Sequence, residues 1–267
     1  MSDRVTINIA NHIAEVTLNR PDKHNALDSD MFEAIISVGE DLAKDNSLRA
    51  VILNGAGNSF CAGIDITSFG GKGINEASEN RMQPRKGSIA NFYQSAAYVW
   101  REIPVPVIAA LHGAVFGGGF QIALGTDIRY ARDDTQFSIM EIKWGIIPDM
   151  SITNTIPYLT SIDKALELAI TGRVFDASEA IALELVTALK KDPLESSRAI
   201  AKTIAEKSPD AIRAIKKLFY SSWHDSEKES LRREAELQIQ VMSQPNQMEA
   251  VASAIENRSA RFLDSII

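Results

Sequence analysis

The chain has few of the residues from which disulfides and metal centres are built, and it has no apolar run long enough for a membrane span. A single cysteine, Cys61, among 267 residues excludes an internal disulfide framework and a Cys-rich zinc site, and this favours a reducing compartment. The four histidines are scattered without the spacing of metal ligands, so we expect no metal site. No apolar run approaches the ~20 residues that cross a bilayer, and the first residues lack the apolar core of a secretory signal. We therefore expect a cytoplasmic protein.

Positive charge is also in short supply. The 28 Lys and Arg residues are outnumbered by 35 Asp and Glu residues, which gives a formal net charge of -7. An acidic chain is a poor general binder of nucleic acid or of anionic membranes, so we expect neither as a partner. The length suits one large domain, or one domain with a small appendage. No internal repeat with a period of roughly 20 to 50 residues is evident.

The apolar pattern predicts strands that alternate with helices over the first two thirds of the chain, and helices alone thereafter. A hairpin is predicted over residues 5–18, and Asp28 is a plausible N-cap for a helix that runs to about Lys44. Residues 185–189 are predicted to form a short connector. Further strands are predicted at residues 50–54, 105–111, 127–131 and 137–140, and helices at about 89–101, 193–206, 208–221, 225–242 and 246–257. The prediction is an α/β fold with a helical C-terminal part.

Residues 112–125 contain three consecutive glycines between two apolar segments. A predicted buried strand ends before the cluster, Gly117, Gly118 and Gly119 form a turn, and a segment of helical period follows. Glycines let a ligand approach the backbone closely, and the first N–H groups of a helix are unpaired. The stretch is therefore able to hold an anion, or an oxygen that becomes one, although a tight turn without a ligand would leave the same pattern. Its spacing differs from the dinucleotide fingerprint, so we expect no nicotinamide or flavin.

Two other segments have an irregular composition. Residues 60–66 are apolar, loosened by Gly63, and carry Asp65 near their end, which an ordinary exit from a strand would also explain. Residues 68–88 combine glycines with Asn, Ser and basic residues and show little periodicity. We predict that they form a mobile loop or a loose helix that covers another part of the molecule.

Glu141 and Asp149 stand out because their neighbours in sequence are largely apolar. A carboxylate in apolar surroundings has a raised pKa and is able to carry a proton at neutral pH. Each also has a purely structural interpretation. Asp149 follows Pro148 and would serve as the N-cap of a helix. Glu141 would lie at the surface or be held in a salt bridge to Lys143 or Arg129.

Several segments occur in an order that is typical of one family. Residues 19–27, which include Asn-Arg-Pro and Asn-Ala-Leu, precede residues 60–66 and the glycine stretch 112–125. Residues 171–173, Thr-Gly-Arg, and the terminal segment 256–262 complete the pattern. In this combination the chain resembles the crotonase superfamily, which contains the enoyl-CoA hydratases and isomerases.

The resemblance runs from about residue 5 to 262 and implies a fold and a substrate. It implies a spiral of ββα units over residues 1–195. It also implies a C-terminal helical region, residues 196–267, that builds homotrimers or dimers of trimers. The implied substrate is an acyl-CoA thioester. No separate cofactor is expected, because coenzyme A is part of the substrate.

The resemblance also assigns roles to backbone groups. The N–H groups of Ile64 and Gly118 would form an oxyanion hole for the thioester carbonyl. Removal of a proton beside that carbonyl places charge on its oxygen, and two fixed donors would stabilise the charge. The positions that would contact coenzyme A are Lys23, His24, Ala26, Ala62, Asp65 and Ile66.

The chemistry depends on a position where the chain departs from the hydratases. Hydratases of the family activate a water with two glutamates, which would fall at Gln121 and Glu141. Gln121 is able to orient a water or a substrate but cannot accept a proton, whereas an isomerase needs only one base, such as Glu141. We therefore favour double-bond isomerisation over hydration.

Asp149 suggests a more specific isomerase. Its pairing with Glu141 looks like the two carboxylates of dienoyl-CoA isomerases, although those enzymes also carry an acid at the position of Gln121. Three alternatives stay open. They are a hydratase that tolerates Gln121, a homologue that binds CoA thioesters without catalysis, and a relative of the aryl-CoA dehalogenases with an aspartate nucleophile near Asp149.

Overall fold

The computed structural model describes residues 3–69 and 80–267. Its strands are β1 (Val5–Ala10), β2 (Ile13–Leu18), β3 (Ala50–Gly55), β4 (Val107–Leu111), β5 (Ala114–Phe116), β6 (Ile128–Ala131), β7 (Gln136–Ser138), β8 (Phe175–Asp176) and β9 (Ala188–Leu189). Its α-helices are α1 (Ser29–Lys44), α2 (Phe92–Glu102), α3 (Gly118–Leu124), α4 (Ile162–Thr171), α5 (Ala177–Ala182), α6 (Pro193–Ala205), α7 (Pro209–Ser222), α8 (Glu227–Val241) and α9 (Pro245–Ile255). Short 3₁₀ helices lie at Pro21–Lys23, Ile66–Phe69, Glu141–Trp144, Ile152–Asn154 and Ile156–Tyr158.

Within the described residues, the strands form two sheets. The larger sheet has the order β1-β2-β3-β4-β6-β9, and the smaller has the order β5-β7-β8. The predicted hairpin of β1 and β2 is confirmed as antiparallel, and every later neighbouring pair in the larger sheet is parallel. Because parallel strands present their carboxyl ends at the same edge, the loops that leave β3, β4 and β6 begin at one edge of this sheet.

Side-chain caps set the ends of the first helices. Helix α1 begins as predicted, because the Oδ1 atom of Asp28 accepts the N–H of Met31 at 2.9 Å. Helix α2 begins later than the predicted residue 89, because Asn91 and Gln94 close a capping box in front of Phe92. The apolar period extends beyond the helix here, and the cap decides where the helix begins.

Three strands differ from the prediction, since β8 was not expected either. Residues 185–189 were expected to form a connector, but they contribute β9, which pairs in parallel with β6. The glycine stretch contains an additional strand, β5, between β4 and α3, and it pairs with β7 in the smaller sheet. These strands have only 2 and 3 residues, so alternation of apolar and polar residues cannot reveal them.

The C-terminal helices are attached to the sheet by packing and by a buried ion pair. Helix α6 packs against the larger sheet through Ala201. The predicted division after residue 195 falls inside this helix, and the division into two regions stays a prediction. On α7, the buried ammonium of Lys216 lies 2.7 Å from the Asp127 carboxylate just before β6. The same ammonium donates to the carbonyl of Trp100 at 3.3 Å, so Lys216 ties α7 both to the start of β6 and to α2.

The predicted covering loop at 68–88 lies only partly within the described residues. Residues 70–79 lie outside the described residues, so their role in covering another part of the molecule stays a prediction. In the following segment, Arg85 pairs with Glu40 of α1 at 2.7 Å. Across residues 3–69 and 80–267, no helix combines the length and the apolar character that a membrane span requires.

Candidate active site

A cleft of about 210 Å³ lies between the segments that follow β3, β5 and β7. Its lining is largely apolar, and among the described residues that line it Glu141 and Asp149 are the only titratable side chains. The cleft therefore brings together both predicted carboxylates and both predicted backbone donors. The residues that line it are Ala62, Gly63, Ile64, Ile66, Gly117, Gly118, Met140, Glu141, Trp144, Ile146, Asp149 and Met150.

The first wall is the segment after β3, held by a single parallel bridge to Leu27. The N–H of Leu27 donates to the carbonyl of Gly63 at 2.8 Å, and its carbonyl accepts the N–H of Asp65 at 3.0 Å. In a parallel bridge, the residue between these two partners points its own N–H to the other side. The N–H of Ile64 thus faces away from Leu27, and within the described residues it donates no hydrogen bond.

The second wall is the glycine turn that opens α3. Gly117 has φ +51°, and Gly118 is the first helical residue, so the helix supplies no acceptor for the N–H of Gly118. The two walls are joined directly, because the N–H of Phe116 donates to the carbonyl of Cys61 at 3.0 Å. They also approach closely, since a methyl group on Gly63 would lie 2.7 Å from the carbonyl oxygen of Phe116. The unpaired N–H groups of Ile64 and Gly118 consequently belong to one cleft.

Glu141 is buried at the start of a 3₁₀ helix, with 7% of its surface exposed. Its Oε1 atom accepts a hydrogen bond of 2.6 Å from Nε2 of Gln121, while its Oε2 atom is buried and has no hydrogen-bond partner among the described residues. Burial raises the pKa of Glu141, and the charge of Asp149 raises it further. The backbone N–H of Glu141, then the Gln121 amide and the backbone N–H of Met140, oppose this rise. A carboxyl with a raised pKa and one unpaired oxygen beside a cleft is suited to accept and release a proton.

The salt-bridge interpretation of Glu141 is wrong. Arg129 is buried elsewhere and donates to the carbonyl of Leu185, and the ammonium of Lys143 lies over the ring of Trp144. Among the described residues, Glu141 has no ion pair within 4.0 Å. The charge of this carboxylate is therefore not neutralised by a neighbouring cation.

Asp149 lines the same cleft and is half-buried, and burial raises its pKa. The N-cap interpretation of Asp149 is wrong. The next helical turn, Ile152–Asn154, is preceded by Ser151 in a left-handed conformation with φ +61°, and no side chain caps it. Asp149 is thus left with its carboxylate at the cleft rather than at a helix end.

Gln121 is not part of the cleft lining. Its side chain is 1% exposed and lies behind Glu141, with Oε1 accepting the N–H of Met150 at 2.8 Å. Both ends of the amide are therefore bound to the protein. The predicted role of Gln121 in orienting a water or a substrate stays a prediction.

The positions expected to contact coenzyme A lie at one end of the first wall. The carbonyl of His24 accepts the N–H of Ala62 at 2.9 Å. The ring nitrogen Nδ1 of His24 lies 3.1 Å from the hydroxyl of Ser59. Lys23 is exposed at the end of its 3₁₀ turn, beside the partly buried Ala26. Ala62 and Ile66 line the cleft, whereas Lys23, His24, Ala26 and Asp65 do not. Their contact with coenzyme A stays a prediction.

The carboxylate of Asp65 is already engaged within the protein. It accepts the Thr67 hydroxyl at 2.6 Å and pairs with Arg20 at 2.7 Å. Hydrogen bonds from Thr67 and then from Arg20 hold the pKa of Asp65 below its usual value, against the opposing effect of burial. The side chain therefore braces the first wall.

Sequence reasoning missed the residue that holds the first wall in place. Asn25 is fully buried, and its side-chain amide donates to the carbonyls of Ala56, Ser59 and Phe60 at 2.8 to 3.1 Å. Its φ of +57° is a conformation that asparagine tolerates better than most residues. The available signal in the sequence was a polar residue, Asn25, directly before the apolar pair Ala26 and Leu27.

A family profile and individual relatives of known name agree on one family for this chain. A profile of the enoyl-CoA hydratase/isomerase family matches residues 8–265. The chain is 31% identical to a mitochondrial Delta(3,5)-Delta(2,4)-dienoyl-CoA isomerase of Pongo abelii, over 94% of this chain and 78% of that protein. It is also 31% identical to a probable enoyl-CoA hydratase of Bacillus subtilis, over 97% of this chain and 98% of that protein. Since proteins of both names stand at the same identity, similarity alone does not separate the two activities.

Solved structures show the same architecture. The crystal structure of an enoyl-CoA hydratase from Bacillus anthracis matches with a TM-score of 0.87 at 27% identity, over 97% of this chain and 98% of that chain. DspI of Pseudomonas aeruginosa matches with a TM-score of 0.87 at 25% identity, over 98% of this chain and 97% of that chain. The expected α/β fold with a helical C-terminal region is thereby confirmed.

Proposed function

Because the chain belongs to the enoyl-CoA hydratase/isomerase family, or crotonase superfamily, we propose that it isomerises a carbon–carbon double bond in an acyl-CoA thioester. The observation that carries the proposal is the hydrogen bond from the neutral amide of Gln121 to Glu141. It leaves one base, Glu141, where a two-glutamate hydratase would have two. A proton shuttle needs one base, whereas addition of water also needs a group that removes a proton from the water.

The first step places the thioester carbonyl oxygen against the N–H groups of Ile64 and Gly118. Within residues 3–69 and 80–267 these donors have no acceptor, so no hydrogen bond of that part of the chain has to break when the substrate binds. Charge accumulates on the carbonyl oxygen as the enolate forms, and two fixed donors then stabilise the transition state more than the ground state.

The second step moves a proton. Oε2 of Glu141 takes a proton from the carbon beside the thioester or beside the double bond. If the proton leaves the carbon beside the thioester, the C–H electron pair becomes a double bond of a dienolate and the carbonyl π electrons move to oxygen. If it leaves the carbon beyond the double bond, the C–H electron pair forms a new double bond and the former double bond feeds its electrons towards the carbonyl oxygen. Return of the same proton to a different carbon collapses the enolate and shifts the double bond, with no net gain or loss of atoms.

Asp149 extends this chemistry to longer conjugated substrates. Its carboxylate lines the same cleft, and its raised pKa suits it to hold a proton. With a dienoyl thioester, one carboxylate removes a proton and the other delivers one further along the chain. The name of the Pongo abelii relative supports this arrangement.

The product mixture tests the proposal. Incubation with 2-enoyl-, 3-enoyl- and dienoyl-CoA thioesters in heavy water should give products whose double bonds have moved, with no water added. Liquid chromatography with mass spectrometry separates the outcomes. A product heavier by one water would establish the hydratase instead, with Gln121 tolerated. No change in any thioester, together with tight binding by calorimetry, would establish the binding-only homologue.

Replacement of Asp149 by asparagine separates the one-carboxylate from the two-carboxylate mechanism. We expect the rate with dienoyl-CoA to fall by about 100-fold or more, because the amide cannot carry the second proton. The rate with a simple 3-enoyl-CoA should stay within a few-fold of wild type. The exposed Asp133→Asn variant is the control for loss of one surface charge. If Asp149→Asn kept wild-type rates with both dienoyl-CoA and 3-enoyl-CoA, Glu141 would be the sole proton carrier.

The binding and assembly expectations support the same proposal. Exposed Lys23 is a cation beside the loop that leads to Ala62, and it would face the phosphates of coenzyme A. The helices α8 and α9 expose apolar side chains that a homotrimer or dimer of trimers would cover. Those side chains are Leu231, Ile239, Met248, Val251 and Ile255, and Met242 directly after α8 is exposed as well.

A further inference from the structure

We propose that Gln121 is a positioning residue that confines proton transfer by Glu141 to a single oxygen, Oε2. The inference rests on the proposed isomerase function and adds a residue that touches neither the cleft nor the substrate. It assigns to Gln121 a role different from holding a water.

The orientation of the Gln121 amide follows from its second partner. The N–H of Met150 can only donate, so the group that faces it at 2.8 Å must be the carbonyl oxygen Oε1 of Gln121. The other end, which faces Glu141 at 2.6 Å, is then the NH₂ group. A flipped amide would place two donors against each other at Met150 and two acceptors against each other at the ionised Glu141. The backbone thus fixes which end of the amide Glu141 meets.

This orientation determines where Glu141 carries its proton. Because Nε2 of Gln121 donates to Oε1 of Glu141, Oε1 must remain an acceptor, and a proton on it would point at another donor. The remaining site is Oε2, which is buried and has no hydrogen-bond partner in the part of the chain that the structure describes. On the other side of the carboxylate, a methyl group on Gly117 would lie 3.3 Å from Oε1 and 3.9 Å from Oε2. A glycine here leaves the carboxylate room to keep this orientation.

The same amide links the two carboxylates mechanically. Met150 directly follows Asp149, so the hydrogen bond from its N–H to Gln121 holds the peptide that carries Asp149. One side chain of α3, 1% exposed, therefore anchors both Glu141 and the segment of Asp149. A lost anchor should disturb the geometry between proton carriers more than the binding of the thioester.

The hydrogen bond from the Gln121 amide also influences the charge state of Glu141. Hydrogen bonding to an ionised carboxylate favours that form, so the Gln121 N–H opposes the rise in pKa that burial causes. Without this donor, the pKa of Glu141 should be higher and the base form scarcer at neutral pH. An acid at the same position would instead share a proton with Glu141.

The decisive experiment titrates Glu141 without substrate. Carbon-13 NMR of side-chain carboxyls in protein labelled at glutamate reports each titration, and the Glu141→Gln variant identifies the Glu141 signal by its absence. We expect Gln121→Met to raise the pKa of Glu141 by about 1 unit, a tenfold change in its protonation equilibrium. The control is Gln136→Met, at an exposed glutamine at the start of β7. An unchanged pKa in folded Gln121→Met would overturn the proposal.

Kinetics provide the second readout. Gln121→Met should lower kcat by at least about tenfold and shift the rising limb of the pH–rate profile to higher pH, while KM stays within a few-fold. Gln121→Glu is closer in shape and serves if the methionine variant fails to fold. Because the introduced carboxyl ionises at high pH and then repels Glu141, this variant should add a falling limb. A lower kcat with an unshifted profile in both variants would indicate a merely structural role.

The two proposals fail separately. A wild-type protein that isomerises no thioester would contradict the proposed function, while the substrate-free NMR titration would still test Gln121. Full isomerase activity in Gln121→Met, with Glu141 titrating as in wild type, would contradict only the positioning role.

Discussion

Glu141→Gln is expected to lower the rate of double-bond isomerisation by roughly 10²- to 10⁴-fold, because an amide cannot take up the proton. The shape of the side chain and an acceptor for the Gln121 N–H are both retained, so the loss should appear in kcat rather than in KM. Glu102→Gln is the matched control, since burial also raises the pKa of Glu102, which lies outside the cleft. Activity within a few-fold of wild type would show that the base lies elsewhere.

The same variant should change stability with a defined sign. Folding raises the pKa of Glu141, so the folded protein binds the proton more tightly than the unfolded chain. This contribution to stability is complete below the unfolded pKa of about 4.3 and is lost as the pH rises through the higher folded value. Glu141→Gln should therefore be more stable than wild type near neutral pH. The difference should close towards about pH 3, which denaturant titrations at several pH values would measure.

Gly63→Ala is expected to lower kcat by about 100- to 1000-fold, the loss that usually follows removal of one oxyanion donor. Gly63 has φ +86°, and an added methyl group would lie 2.7 Å from the carbonyl oxygen of Phe116. That oxygen is backbone and cannot rotate away, so the two walls must separate. Ile64 and Gly118 would then no longer point at one carbonyl oxygen.

A second glycine separates this effect from backbone strain. Gly87 has nearly the same conformation, with φ +83°, but a methyl group there would meet no atom within 4 Å. Gly87→Ala should therefore show the cost of an unfavourable φ alone, with kcat close to wild type. Steady-state kinetics and thermal unfolding of both variants make the comparison. If Gly63→Ala kept wild-type kcat, the two N–H groups would not act as a pair.

The sequence predicted the parts of the fold that have a local cause. Asp28 caps α1 as expected, and Gly172, in a left-handed conformation, ends α4 within the Thr-Gly-Arg segment. Strands β5 and β9 escaped prediction because they are set by neighbouring strands rather than by their own composition. Their few residues carry no recognisable period.

The candidate site was predictable to a similar depth. The two carboxylates and the glycine turn were recognisable because each contrasts with its neighbours in sequence, and the cleft brings them together. The contact between Gln121 and Glu141 was not predictable, since these residues lie on different elements, 20 positions apart. Chain order also could not distinguish a carboxylate in a salt bridge from one held by an amide.

The single free oxygen of Glu141 has a stereochemical consequence. A carrier fixed on one wall of the cleft reaches only one face of a bound acyl chain. It would remove one of the two prochiral hydrogens of a methylene group and return it suprafacially, so the product would have one configuration. The hydrogen bond between Gln121 and Glu141 would thus determine the configuration at any carbon that is labelled in this way.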